Sequence, residues 1–205
     1  MHKGAIFPLF YLPPIEYFNK LLQHQEILIE QEEHFPKQTY RNRASIQSPN
    51  GKLDLTIPVV KGSKAHTKVK DVKISYDYNW QRLHWLSLQT CYRSSAFFEF
   101  YEDEFEPFYS KKYEYLFDYN SSLMSLLFKL LKIAPQFTYT ASFESMYSDI
   151  DDYRAVIHPK LESTYQTKPY FQVFEDRNGF MPNLSIVDLL FNQGPKSVQF
   201  LQSSK

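Results

Sequence analysis

Glycine is scarce, five in 205 residues. Gly-rich phosphate cradles are thereby all but excluded, and no P-loop, dinucleotide glycine motif or Gly-x-Ser-x-Gly elbow occurs. Cysteine is scarcer still. Cys91 alone cannot build an internal disulfide framework or a Cys-rich zinc site, and it fits a reducing cytoplasm. Net charge is missing too: 23 basic residues balance 23 acidic ones, so bulk charge gives no reason to expect nucleic acid or an anionic membrane as partner. Long apolar runs are absent. The best, Leu123 to Leu131, is short and contains Lys129, so no membrane span is expected. The run Ala5 to Leu12 after Met1-His2-Lys3 superficially suggests a signal peptide, but Pro13-Pro14 and Glu16 follow it instead of a small-residue cleavage site. With no His-Glu-x-x-His and no EF-hand pattern, no metal is expected, and nothing names a cofactor.

Aromatics are plentiful, 16 Tyr and 18 Phe, and both an aromatic core and a stacking surface account for them. Gly4 to Leu12 reads as a buried strand, Pro14 to about Gln25 as a helix and Glu26 to Gln31 as a second strand. Pro49-Asn50-Gly51 between alternating apolar runs is a hairpin signal within Lys37 to Val60. A two-residue loop at Asn50-Gly51 pairs Ser48 with Leu53, Ile46 with Leu55 and Ala44 with Ile57. Lys61 to Lys70 reads as a polar loop and Val69 to Ser75 as a strand. Helices are expected over Asn79 to Arg93, over Ala96 to Phe117 in two pieces broken near Pro107, over Asp118 to Lys132, and from Ser185 to Asn192. Gln136 to Phe143 and Tyr170 to Phe174 alternate, and Tyr147 to Thr167 reads as a loop with a short helix. Strands first and helices in the middle predict an α/β fold: one mixed domain over residues 1–205, its N-terminal strands and hairpin packed with mid-chain and C-terminal helices.

Three constellations bear on chemistry. Alternation from Lys37 places Lys37, Thr39, Arg41 and Arg43 on one strand face, where the two arginines suit bidentate contact with phosphate or carboxylate. Pairing with acidic residues of the Glu99 to Glu106 run explains them equally. At about 100° per residue, the Asn79 helix gathers Trp80, His84, Trp85, Leu88, Cys91 and Tyr92 on one arc. His84 is then either a general base tuned by desolvation or a hydrogen-bonded core histidine orienting Trp80. Ser185-Ile186-Val187-Asp188 matches a capping box, which explains Asp188 without catalysis.

The landmarks in order are Phe10-Tyr11-Leu12-Pro13-Pro14, then Lys37-Gln38-Thr39-Tyr40-Arg41-Asn42-Arg43, Asn50-Gly51 with Leu55 to Val59, Trp80-x-x-x-His84, and Pro182 to Asn192. Together they resemble the WbqC-like family in its compact, Bacteroidetes-type form, over residues 4–194. That resemblance implies a cytoplasmic bacterial protein linked to cell-surface polysaccharide (O-antigen) assembly, and it implies no particular reaction. Members commonly carry Gln-Pro before the aromatic run, where this chain has Phe7-Pro8. The expected function is that of a transferase-like enzyme acting on an activated anionic small molecule, a nucleotide-linked amino sugar or an acyl or aminoacyl donor. His84 would be the base, Arg41, Arg43 and Lys37 the anion holders, and Tyr11 and Trp80 the pocket walls. The alternative is a non-enzymatic scaffold with an aromatic docking surface. Convergence of both arginines and His84 in one pocket separates the two.

Overall fold

Gly4 to Leu12 is apolar at nearly every position, as a strand buried on both faces must be. The computed structural model, which describes residues 4–60 and 66–202, places β1 at Gly4–Pro8, buried throughout. Pro13 and Pro14 turn the chain, and α1 follows at Ile15–Leu21 with an extended Pro14 as its N-cap. β2, Glu26–Glu30, lies parallel to β1. The rest of this sheet comes much later, as β5 (Gln136–Tyr139) and β6 (Asp151–Asp152). The order is β5-β2-β1-β6, and each neighbouring pair is parallel. The chain winds outward from β1 through β2 to β5, then crosses back to add β6 on the other flank of β1. The winding therefore reverses between β1 and β6, the kind of switch point where open parallel sheets bind ligands beyond the carboxyl ends of their strands.

The hairpin consists of β3 (Arg43–Ser48) and β4 (Gly51–Thr56). Its register differs by two residues from the expected one: Ser48 faces Gly51, Ile46 faces Leu53 and Ala44 faces Leu55. Proline's fixed φ suits the first central position of a type I turn, so Pro49-Asn50 is the loop. Gly51, at φ +101°, supplies the left-handed step after it. A two-residue shift leaves the faces unchanged, and Ala44, Ile46, Leu55 and Ile57 are all buried. β3 begins only at Arg43; residues 37–42 are bends and turns, with Gln38 at φ +60°. The expected row of cations on one strand face is therefore not formed, because alternation requires extended backbone.

Helices cover the middle and end of the chain. α2 spans Trp80–Tyr92, and its N-cap Asn79 accepts the Arg82 N–H at 3.2 Å. α3 spans Phe98–Ser110 and runs through Pro107. The break falls after it, before α4 begins at Leu116 and runs to Leu131. Pro107 and Asp103, whose carbonyl loses its partner, are both exposed, so water replaces the missing bond. A four-residue α5 (Glu175–Asn178) precedes α6, Ile186–Gln193, and α7, Ser197–Gln202. α6 is buried along most of its length, and its Phe191 ring packs on Tyr92, Phe98 and Phe105 at 5.1–5.3 Å.

Two expected strands do not form as regular strands, although Lys73 and Ile74 at the end of Val69 to Ser75 make isolated bridges to Tyr115 and Val59. Val69–Asp71 is a 3₁₀ turn, because its backbone N–H groups bond the Glu33 and Gln31 carbonyls instead of a neighbouring strand. Residues 170–174 alternate in burial, Tyr170 and Gln172 in and Phe171 out, without joining a sheet. The expected polar loop from Lys61 lies at residues 61–65 outside the described residues. The architecture is mixed α/β: a parallel four-stranded sheet and an antiparallel hairpin packed against helices. No described helix is long and apolar enough to cross a membrane.

Candidate functional site

Three of the four parallel strands deliver polar residues to their carboxyl ends, and β1 delivers apolar ones. Leu9 and Phe10 follow β1, Glu30 closes β2 with Glu33 just beyond, Thr140 follows β5, and Asp152 and Arg154 close β6. Glu30 is fully buried. Its Oε1 accepts the N–H groups of Glu32 (2.7 Å) and Glu33 (3.1 Å) and the Thr140 hydroxyl (2.9 Å). Its Oε2 accepts Arg154 Nη1 at 3.0 Å. Arg154 also clamps Asp152 through Nε and Nη2, donates to the Glu144 carbonyl at 2.7 Å, and lies over the rings of Phe143 and Tyr147. Its bonds to Asp152 come first among the forces that raise its pKa.

Arg41 stands beside this network. Its Nε and Nη2 both donate to Glu33 Oε1, at 2.8 and 2.6 Å, and Nη2 also reaches the Arg154 carbonyl at 3.3 Å. Its guanidinium stacks over the Phe10 ring, 5.6 Å from the centroid. Among the described residues Nη1 makes no hydrogen bond. Burial dominates both partners of the pair: it lowers the Arg41 pKa and raises that of Glu33 against the pull of Arg41. Leu9, Glu33, Phe35, Arg41, Phe117 and Asn120 line a cavity here of about 10 Å³. Asn120 Nδ2 donates to the Arg41 carbonyl at 2.7 Å, while its Oδ1 is buried with no partner.

The other sequence-predicted residues fall into two groups. Tyr11, His84 and Trp80 come together as a buried cluster. Tyr11 Oη lies 3.0 Å from His84 Nδ1 and 3.2 Å from Tyr109 Oη, and the Trp80 ring meets His84 edge-on at 5.1 Å. His84 is 6 % exposed and hydrogen-bonded to the Thr56 backbone; burial lowers its pKa to about 4. Trp80 Nε1 is buried without a partner among the described residues. Arg43 points elsewhere, to Asp54 at 3.7 Å, and Lys37 is exposed on the bend. The bonds of the two arginines and His84 differ: Arg41 joins the sheet-end network, Arg43, opposite Thr56 on the hairpin, pairs with Asp54, and His84 joins Tyr11 and Trp80 and reaches the Thr56 backbone. The acidic partners of the arginines are Glu33 and Asp54, not the Glu99 to Glu106 run, whose Glu102 pairs with Arg93.

Sequence reasoning missed Glu30, Glu33, Asn120 and Arg154. Asp152-x-Arg154 after a short extended segment was the available signal, hidden in a stretch read as loop. Asp188 also differs from expectation. Ser185 caps α6, its Oγ accepting Val187 N–H at 3.4 Å, but its own N–H goes to the Ser45 carbonyl. The Asp188 carboxylate instead accepts Tyr170 Oη (2.6 Å), Tyr92 Oη (2.8 Å) and Gln172 Nε2 (2.9 Å), so the capping box is not closed. Burial raises its pKa against those three donors. No group of three or more His, Cys, Asp or Glu among the described residues is placed to hold a metal ion.

A family model described as the WbqC-like protein family matches residues 10–158. The chain is also similar to a protein of Mycobacterium tuberculosis (strain ATCC 25618 / H37Rv) named Uncharacterized protein Rv1507c, 23 % identical over 228 residues, with 98 % of each chain covered. No solved structure matches.

Proposed function

The chain belongs to the WbqC-like protein family, and we propose that it is a transferase-like enzyme whose activated, anionic small-molecule substrate docks at the carboxyl edge of the parallel sheet. One observation carries this reading. Three strands, β2, β5 and β6, end in one polar network beside the end of β1, at the place where the sheet's winding reverses, and that network leaves the Nη1 donors of Arg41 unengaged. Phosphate or carboxylate is the natural complement of a guanidinium fixed by a carboxylate and an aromatic face. Glu33 and Phe10 hold Arg41 in place before the ligand arrives, which cuts the cost of ordering it on binding. The Tyr11–His84 pair sits behind this edge and positions the segment after β1. Cell-surface polysaccharide assembly in the cytoplasm supplies nucleotide-linked amino sugars as the matching substrate class.

The test is a thermal-shift and titration panel of nucleotide-linked sugars on the wild type, Arg41→Lys and Arg43→Lys. Lysine cannot keep the Glu33 contacts and offer a second planar pair of donors, so Arg41→Lys weakens binding tenfold or more. Arg43→Lys, whose partner is Asp54 on the hairpin, leaves affinity within about twofold, the size of an exposed ion-pair effect. Equal effects of the two changes, or none, overturn the reading. A second reading, a non-enzymatic scaffold, is favoured by β5, which is exposed at every position and displays Phe137 and Tyr139. Substituting Phe137 and Tyr139 by Glu then abolishes a complex while leaving sugar-nucleotide binding intact.

A further inference from the structure

Asn120 carries a group that the fold leaves unsatisfied. Its amide orientation is fixed, because Nδ2 donates to the Arg41 carbonyl, which only accepts. The atom left over is therefore an oxygen. It belongs to a residue 2 % exposed, it has no partner, and its residue lines the cavity beside Arg41. An acceptor buried this way is expensive to leave unmade and marks a missing donor. Glu33 contributes a second acceptor to the same cavity: Oε1 takes both Arg41 bonds, and Oε2 has no hydrogen bond among the described residues.

The charges agree with the acceptors. Glu30, Glu33 and Asp152 face Arg41 and Arg154, which leaves one negative charge without a counterpart. Glu32 is answered separately by Lys68 and Lys70 at 2.7 and 2.5 Å. The cavity, about 10 Å³, holds one group the size of a water molecule. Phe35 and Phe117 also line it. A hard divalent metal such as Ca²⁺ or Mg²⁺ would want six or more oxygen ligands, far more than two free acceptors supply.

We infer that this cavity receives a primary ammonium group of the substrate, held by Glu33 Oε2 and Asn120 Oδ1, so that the ligand carries a free amine beside its anionic group. The inference rests on the anion site at Arg41 proposed above and narrows its substrate class to amino-bearing anions, such as an unacylated amino-sugar phosphate. Burial, which raises the Glu33 pKa, is offset when a cation arrives. An acetamido group is too large for the same space, so acylation of the amine removes the ligand from the site.

Isothermal titration with glucosamine 1-phosphate, glucose 1-phosphate and N-acetylglucosamine 1-phosphate tests this. The three share an anion and differ at one substituent. Glucosamine 1-phosphate binds the wild type at least tenfold more tightly than either analogue, and Glu33→Gln reduces that preference to within threefold. Asn120→Ala, which removes Oδ1 and leaves both charges in place, lowers the same preference and serves where Glu33→Gln does not fold. Equal affinity for the amine and the hydroxyl compound overturns the ammonium inference while the anion site stands; the cavity then holds a structural water only. No binding of any of the three overturns both.

Discussion

Arg41 and His84 show how much a single residue's surroundings decide. Both are buried cores of polar contacts, yet only Arg41 retains unengaged donors. His84 has its Nδ1 against the Tyr11 hydroxyl and a further bond to the Thr56 backbone. Burial holds its pKa near 4, below the ordinary 6.5. The sign follows directly. Between those values the unfolded chain binds a proton that the folded chain refuses, so stability is present in full above about pH 6.5 and falls as the pH drops toward 4. The displacement from 6.5 to about 4 corresponds to about 3 kcal/mol. Nuclear magnetic resonance of the imidazole is expected to show a neutral ring from pH 8 to pH 5. A midpoint near 6.5 would place His84 in open solvent contact and return it to the list of candidate bases.

At the scale of elements, the hairpin is where local chemistry speaks most clearly. Leu55 is 3 % exposed and packs in the core with Ala44, its cross-strand partner. Leu55→Ala is expected to lower unfolding free energy by about 2–4 kcal/mol through lost transfer energy and a cavity, measured by urea denaturation. A loss below 1 kcal/mol would mean that the strand is not held by that face. The hairpin, α2 with its Asn79 cap, α4 and α6 were legible because each rests on neighbours in sequence: alternation, helical period, capping residue. The register was misread by two residues because Pro49 competes with Asn50 for the first turn position, and a proline's ring decides such a contest. Val69 to Ser75 was read as one strand on Val72 and Ile74; its end is extended and bridged, but Val69–Asp71 turns because the Val69 and Lys70 N–H groups are taken by the Glu33 and Gln31 carbonyls, a tertiary choice invisible in the segment itself. β6 could not be read at all. Two residues carry no period, and only their pairing with Ala5 and Ile6 makes them a strand. The candidate site was legible only at Arg41, for the same reason: Glu30 and Arg154 are 124 positions apart and meet through the sheet.

The whole molecule is organised by an asymmetry of that sheet. β1 is flanked on both sides and buried at all five positions. β5, at the edge, is exposed at all four and shows water one unpaired side. Local stability follows from such differences, since amides open through local as well as global fluctuations. Native-state hydrogen exchange is therefore expected to rank the strands β1, then β2, then β5, with β1 amides opening only in global unfolding and β5 amides exchanging at least a hundredfold faster. The ranking matters for function because the polar network is anchored on the stable end. Glu30 closes β2 beside β1, while Thr140 and Arg154 reach it from the edges. Removing the buried carboxylate takes one of two carboxylate partners from Arg154, whose Asp152 clamp remains, so the cost falls below the roughly 3–5 kcal/mol of a buried ion pair broken outright. In Glu30→Ala, exchange should accelerate most at the Glu32 and Glu33 amides, which lose their acceptor, and at residues 140 and 151–154, whose side chains Glu30 ties down, and least at β1. Uniform acceleration across all four strands would instead show that Glu30 stabilises the sheet as a whole, and that the carboxyl edge is not a separately movable rim capable of opening its small cavity to a ligand.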